Sequence, residues 1–283
     1  MNDATLGVGD PSNQGAMIEM ETDGHKARVA SDYDGSAEAF ARSAHAVYAR
    51  LAEPLVAAAA VRPGEKVLDL ATGTGAVAGR LAGAVVGLDV SAEQLRHNPL
   101  DDKHLGAAED MPFADSSFDV VVCGFGINHF ARPRVALDEV RRVLKPGGRL
   151  ALSTWGRPQP GYAPKDIVLR ALERHAGRSR TSAGETVDAL SERVGTVDAL
   201  SALLAEAGFW GVHATIEEVA VPWPGAEAFV DYRLAMLGAR AMLPPGAEGQ
   251  LRREVADALG MLSSAQLHWL PQVIVGTASL PDA

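Results

Sequence analysis

The chain has 283 residues, 47% of them hydrophobic, enough for a sizeable core and far from disordered or fibrous compositions. Its 36 Asp and Glu against 26 Lys and Arg give a formal net charge of -10, which argues against nucleic acid as the main partner because phosphate binding needs clustered cations. A single cysteine, Cys123, excludes an internal disulfide and a multi-cysteine zinc site, and the apolar run Leu55 to Val61 is far short of the roughly 20 residues of a membrane helix.

In chain order, residues 1–30 lack apolar periodicity and are predicted to be a mobile leader. No basic stretch followed by an apolar one opens the chain, so a cytoplasmic location is expected. From Ser36 to Arg50, Phe40, Ala44, Val47 and Leu51 recur at helical spacing, and Pro54 opens a second helical run, so 31–61 is expected to form a helical lid. After the turn at Arg62-Pro63-Gly64 the period changes. Lys66 to Leu70 is predicted to be a buried strand, Ala76 to Ala82 a short helix, Ala84 to Val90 the next strand, and Ser91 with Gln94 the start of another helix by capping-box spacing.

The alternation continues with a strand at Asp119 to Cys123, an amphipathic helix at Arg134 to Leu144, a turn at Lys145 to Gly148 and a strand at Arg149 to Trp155. Nearly continuous apolar strands alternating with helices predict an α/β fold, a doubly wound and mostly parallel sheet covered on both faces. Further on, Thr196 to Gly208 reads as a helix, Val212 to Val221 as a strand, and Gln272 to Gly276 as the last strand. Between them, about 222–268 holds two helical stretches forming a cap. The hexapeptide Thr-Val-Asp-Ala-Leu-Ser occurs at 186–191 and again at 196–201, a local duplication with no assigned function.

The pattern Gly73-x-Gly75-x-x-Ala78 between a strand and a helix is a nucleotide-binding signal in outline: glycines let backbone approach a ligand, and a helix N-terminus offers unpaired N–H groups. Asp89, ending the next strand, is placed to accept the hydroxyls of a ribose. Asp69, four residues before Gly73, would repel a pyrophosphate and attract a cation. A nucleoside with a positive tail suits both acids better than a dinucleotide does.

These residues resemble a known family. Val67-Leu68-Asp69-Leu70-Ala71-Thr72-Gly73-Thr74-Gly75 is similar to the first motif of class I S-adenosylmethionine-dependent methyltransferases, in the branch of the ubiquinone/menaquinone C-methyltransferases. Gly87 to Ser91 resembles the second motif, Ala108 to Phe113 with Ser117 to Val121 the adenine-pocket motif, and Arg142 to Gly148 the turn before the fifth strand. The resemblance covers roughly 35–156 and implies a seven-stranded Rossmann-like sheet with an N-terminal helical lid and a helical insertion before the last strand, 62–283 forming one methyltransferase domain. It implies S-adenosyl-L-methionine as cofactor, with Asp69 and the loop Ala71, Thr72, Gly73 and Gly75 at its methionine part, Asp89 at the ribose, and Val90, Ala108, Glu109 and Gly124 around it. Tyr33 belongs to the implied lid, and Tyr48 either to that lid or to the core. The sequence departs from the family at Ala71, where a glycine is usual, and at Ala107, where an Asp or Asn often meets the adenine.

His129 follows the fourth strand, where ligands bind in such sheets, and is either a general base or a structural histidine. Trp155 either walls an acceptor pocket or packs. Cys123 is expected in the core; His175, His213 and His268 have little claim to a role. No metal-ligand spacing is visible, and none is needed for methyl transfer. The cap either recognises the acceptor or packs on the sheet. Only five of the 26 basic residues are Lys, which with abundant Ala and Gly reads as the codon composition of a GC-rich bacterial genome. The expected activity is methyl transfer to oxygen, nitrogen or carbon of a small organic acceptor, a specialised metabolite or quinone-like compound. The expected partner is that small molecule, without nucleic acid or membrane, in a chain expected to form a homodimer. Two other classes stand beside it: a relative that uses the bound cofactor structurally for a reaction such as cyclisation, and an NAD-dependent oxidoreductase. Asp69 and the missing Tyr-x-x-x-Lys pair weigh against the last.

Overall fold

A computed structural model describes residues 11–157, 159, 161–176, 193–223, 225–236 and 243–282, without the side chains of 11–22. Helices α1 (Pro11–Ser43), α2 (His45–Leu51) and α3 (Glu53–Ala59) precede the sheet. Strands β1 (Lys66–Leu70), β2 (Ala84–Asp89), β3 (Lys103–Leu105), β4 (Phe118–Gly124), β5 (Leu144–Trp155), β6 (Trp210–Glu218) and β7 (Gln272–Ser279) form one sheet in the order β3-β2-β1-β4-β5-β7-β6. β1 to β5 pair in parallel, and β7 runs antiparallel to both β5 and β6. The remaining helices are α4 (Ala92–His97), α5 (Pro133–Val143), α6 (Ala163–Ala176), α7 (Val197–Glu206), α8 (Ala226–Ala235), α9 (Glu248–Gly260) and α10 (Ser264–Leu267). The doubly wound, mostly parallel sheet expected from the sequence is present.

β4 explains why the strands read as unbroken apolar runs. Phe118, Val120, Val121 and Val122 are all fully buried because helices cover both faces. Each such side chain contributes about 1.5–3 kcal/mol by leaving water. α5 is the amphipathic counterpart: Ala136, Leu137, Val140 and Val143 face the sheet, and its first turn opens on Pro133, whose missing N–H costs nothing there. α4 begins where expected, the Ser91 hydroxyl accepting from the Gln94 amide at 3.1 Å.

Several expectations change. Residues 11–30, expected within a leader, form the first part of α1. Few apolar residues mark that helix, yet Val29, Tyr33, Ala37, Phe40 and Ala44 recur every three or four positions, and this sparse stripe docks onto the domain. Residues 1–10 lie outside the described residues. The helix expected at 76–82 is only a 3₁₀ turn at Ala78–Arg80. β3 and α6 went unread, β3 being three residues long and α6 following Pro158, Pro160 and Gly161. The strand expected from Arg149 starts at Leu144 and passes through a register irregularity between Phe118/Val120 and its partners, with Gly147 at φ 70. The strand expected at 212–221 runs from Trp210 to Glu218. The first copy of the hexapeptide lies outside the described residues; the second starts at Thr196, whose hydroxyl caps α7.

Candidate functional site

The chain leaves β3 and crosses back over the sheet to enter β4 beside β1, so the carboxyl ends of β1, β2 and β4 open onto a crevice between diverging connections. α1 lies over that crevice and closes it into a cavity of about 1020 Å³, part of it open to solvent. Its walls come from the β1 end (Leu70, Ala71, Gly73), the β2 end (Leu88, Asp89, Val90), the segment after β3 (Gly106, Ala108, Glu109) and the β4 end (Gly124, Phe125, His129). Lys26, Val29, Tyr33 and Phe40 line it from one face of α1. Of the residues singled out from sequence, Tyr33, Ala71, Gly73, Asp89, Val90, Ala108, Glu109, Gly124 and His129 meet here.

Asp69, Thr72 and Gly75 stand one layer behind the wall. Asp69 is fully buried; its Oδ2 accepts from the Thr72 hydroxyl at 2.7 Å and the Ala78 amide at 3.1 Å. Burial raises its carboxyl to about 7, against the pull of those two hydrogen bonds. Gly75 has φ 82, and a Cβ on it would sit 2.9 Å from Pro99 Cδ and 3.0 Å from Asn98 Oδ1. Asn98 itself donates to the Thr72 hydroxyl at 3.0 Å and to the Gly73 carbonyl at 2.9 Å. The glycine loop is therefore held from behind while its front stays open.

Asp89 closes the other side of the loop. Its Oδ2 accepts from the Gly73 amide at 2.8 Å and its Oδ1 from the Ser91 amide at 2.9 Å, with the Val90 amide as a third backbone donor to this carboxylate. Burial again raises this carboxyl, and the backbone N–H groups of Ser91 and Gly73 oppose the shift. Nearby, two buried acceptors have no partner: Asp69 Oδ1 and Gln94 Oε1. Gln94 lines the cavity beside Gly73. The site offers acceptors and waits for donors. A ligand carrying hydroxyls and a cation fits it; a second anion does not.

Backbone strain gathers at the same place. Ala71 (φ 58) and Phe125 (φ 56) are non-glycine residues in the left-handed region, on the two loops that face each other across β1 and β4. Between them, a Cβ on Gly126 would meet Ala71 Cβ at 2.6 Å and Cys123 Sγ at 2.8 Å. The loops touch so closely that only glycine fits at 126.

His129 ends a short 3₁₀ turn after β4, and its Nε2 lies 3.1 Å from the Tyr33 hydroxyl, with the two rings edge-on at 5.5 Å. Burial lowers its imidazole to about 4, helped by His25, so it is neutral at physiological pH and Nε2 accepts from Tyr33. Burial pushes the Tyr33 hydroxyl above its ordinary value, with Asp89 and Asp32 adding to the rise. Tyr48 also lines the cavity; its ring meets Phe125 edge-on at 5.3 Å and its hydroxyl reaches Met236 Sδ at 3.8 Å. It serves both roof and core.

Trp155 packs. Its ring lies 4.7 Å from Phe125 and 6.2 Å from Trp269, which stacks in turn on Trp223 and Tyr162. Among the described residues none of those lining the cavity comes from 222–268; the cap's aromatics pack on one another and, with Phe40 and Phe125, share one core cluster. His175 is tied to Glu254 at 2.9 Å, and Cys123 is a buried core thiol pushed up to about 12 by that burial. Among the described residues no group of His, Cys, Asp or Glu is placed to hold a metal ion.

Sequence reasoning missed Gln94 as a wall residue, and Arg142 as the organiser of the segment after β3. Arg142 donates to the carbonyls of Met111 and Phe113 at 3.1 and 2.6 Å and to Glu139, whose Oε2 accepts from the Met111 amide at 2.8 Å. That clamp shapes the bend from Ala108 to Phe113. It was unreadable because, Glu139 apart, the partners of Arg142 lie about 30 residues away.

Residues 68–152 match the family model described as a methyltransferase domain. The chain is 31% identical to a ubiquinone/menaquinone biosynthesis C-methyltransferase of Ectopseudomonas mendocina, over 64% of this chain and 78% of that one. The chain belongs to the class I S-adenosylmethionine-dependent methyltransferases, in the ubiquinone/menaquinone C-methyltransferase-like branch. A demethylmenaquinone methyltransferase of Renibacterium salmoninarum is 39% identical over 42% of this chain, and the match spans about half, 55%, of that relative's length. In fold, a protein of Anabaena variabilis described as a methyltransferase from an antibiotic biosynthesis pathway superposes with a TM-score of 0.61, at 16% identity, over 80% of this chain and 96% of that one.

Proposed function

We propose that this chain binds S-adenosylmethionine between the glycine loop and α1 and transfers its methyl group to a small, apolar, aromatic acceptor of quinone-like type. The observation that carries the reading is the donor-seeking wall: Asp89, the unpartnered oxygen of Gln94, and a glycine loop held open between them, with buried Asp69 one layer behind. Asp89 would take the ribose hydroxyls, and Val90, Ala108 and Glu109 would border the adenine. Asp69, one layer back, would favour a positive charge over the loop. Bound there, the cofactor supplies a methyl group on a sulfonium, already paired with its leaving group.

The protein's own task is positioning, water exclusion and proton handling. Phe40, Tyr48, Phe125 and Val29 give the remaining cavity an apolar, aromatic lining, which suits a flat ring system. The names of the relatives support a quinone-like acceptor, and carbon is the atom methylated by that branch. Tyr33 reaches into the cavity with its hydroxyl on neutral His129, so the pair can take a proton from the acceptor through Tyr33 to His129 Nε2. The decisive assay supplies S-adenosylmethionine and a reduced demethylated naphthoquinone and reads the product by mass spectrometry. A mass gain of one methylene group supports the proposal; turnover of the acceptor without that gain contradicts it. His129→Ala should slow turnover roughly 10²-fold, and unchanged turnover would return His129 to a structural role.

A further inference from the structure

α1 is held in two different ways along its length. From Ser36 onward it belongs to the core: Ser36, Ala37 and Phe40 are 7%, 2% and 8% exposed, and Ala44 is fully buried. Between Asp23 and Gly35 every residue keeps some exposure, Tyr33 being half-buried with its hydroxyl turned inward. That half carries Lys26, Val29 and Tyr33 over the cavity and is fastened by hydrogen bonds: His25 to the His129 carbonyl at 3.0 Å, Tyr33 to His129, and Asp34.

Asp34 Oδ1 accepts from the Ser91 hydroxyl at 2.6 Å and from the Glu93 amide at 3.1 Å. Ser91 in turn gives its backbone N–H to Asp89 Oδ1 at 2.9 Å. One carboxylate therefore ties the roof to the segment that holds the ribose-side acid. The boundary between the two halves falls on Gly35-Ser36. A Cβ at Gly35 would meet nothing within 4 Å, so sterics do not call for glycine, and a glycine inside a helix loosens it. The Ser36 hydroxyl donates back to the carbonyls of Asp32 and Tyr33 at 3.0 and 3.3 Å, an arrangement that bends helices.

We propose that Asp34 is a positioning residue for the cofactor, latching the outer half of α1, hinged at Gly35-Ser36, onto the Asp89 segment. The inference rests on the cofactor reading above. It makes binding ordered: the cofactor enters with the roof open, the latch closes over it, and the acceptor site, roofed by Val29 and Tyr33, forms last. Elements fastened by few polar contacts are those that open locally in native proteins.

The test follows S-adenosylhomocysteine release by stopped flow, with hydrogen exchange on the complex. Asp34→Ala should release it about tenfold faster, the scale of one lost charge-assisted bond. Exchange should rise over 23–35 and stay low over 37–44, which separates an open roof from a misfolded chain. Asp34→Asn, whose amide oxygen still accepts, should recover most of the residence time. Gly35→Ala, which removes no contact, should slow association and release together. Release from Asp34→Ala within about twofold of the parent, or Asp34→Asn as fast as Asp34→Ala, overturns the latch. A parent protein that binds no S-adenosylhomocysteine overturns the cofactor reading and the latch with it.

Discussion

Ala71 sits at φ 58, where an L-residue with a Cβ is strained by roughly 1–2 kcal/mol and glycine is not. Replacing it by glycine relieves that strain but adds freedom to the unfolded chain, worth about 0.5–1 kcal/mol in the other direction. Ala71→Gly is therefore expected to raise stability by about 0.5–1 kcal/mol in urea titrations, and a loss would show that the Cβ contact across to Gly126 matters more than the backbone. Asp69 carries a clearer pH signature. Its folded carboxyl titrates near 7 against about 3.9 unfolded, so the stability linked to its protonated form is present below about pH 4 and lost as pH rises through 7. His129, lowered to about 4 from its usual 6.5, acts in the opposite sense: its contribution is full above about pH 6.5 and is lost as pH falls through 4. A cation bound over the glycine loop favours ionised Asp69, so binding should release a proton. The affinity for S-adenosylmethionine should then climb between about pH 6 and 8, and Asp69→Asn should flatten that slope. An unchanged slope in the variant would place the titrating group elsewhere.

The elements that position the site were legible where their own side chains announce them. β1, β2, β4 and α5 show their period directly, because Val67, Leu68, Val86, Leu88 and the β4 valines are buried from both sides. The glycine loop and Asp89 were legible because a ligand's backbone approach and ribose recognition need those residue types at those strand ends. α1 was half legible: Phe40 and Ala44 mark its inner turns, but its outer turns are held by Tyr33, Asp34 and His25, polar residues whose partners lie about 57 to 104 positions away. The cap's role was undecided in sequence because Trp223, Phe229 and Trp269 suit an acceptor or one another equally, and only the fold brings them together. The close contact of the β1 and β4 loops gives this scale its prediction. Gly126→Ala forces its new methyl against Ala71 Cβ and Cys123 Sγ, so it should cost about 1–3 kcal/mol of stability and weaken cofactor binding with it. Normal stability would mean that the two loops separate easily.

Across the whole molecule the acidity has two parts. Most of the excess carboxylates are on the surface, but Asp69 is fully buried and Asp89 half-buried beside the glycine loop, where they disfavour an anion. No helix among the described residues is long and apolar enough to cross a membrane. The parallel half of the sheet builds the crevice, α1 roofs it, and the antiparallel β7 and the aromatic cap share a core cluster with Phe40 and Phe125 of the cavity lining. The measurement that bears most directly on this assignment is calorimetric titration of the full chain with S-adenosylhomocysteine and, separately, with NAD. The expected result is saturable binding of S-adenosylhomocysteine, weakened by about 1–3 kcal/mol in Asp89→Ala, and no heat from NAD. Binding of NAD without S-adenosylhomocysteine would contradict it.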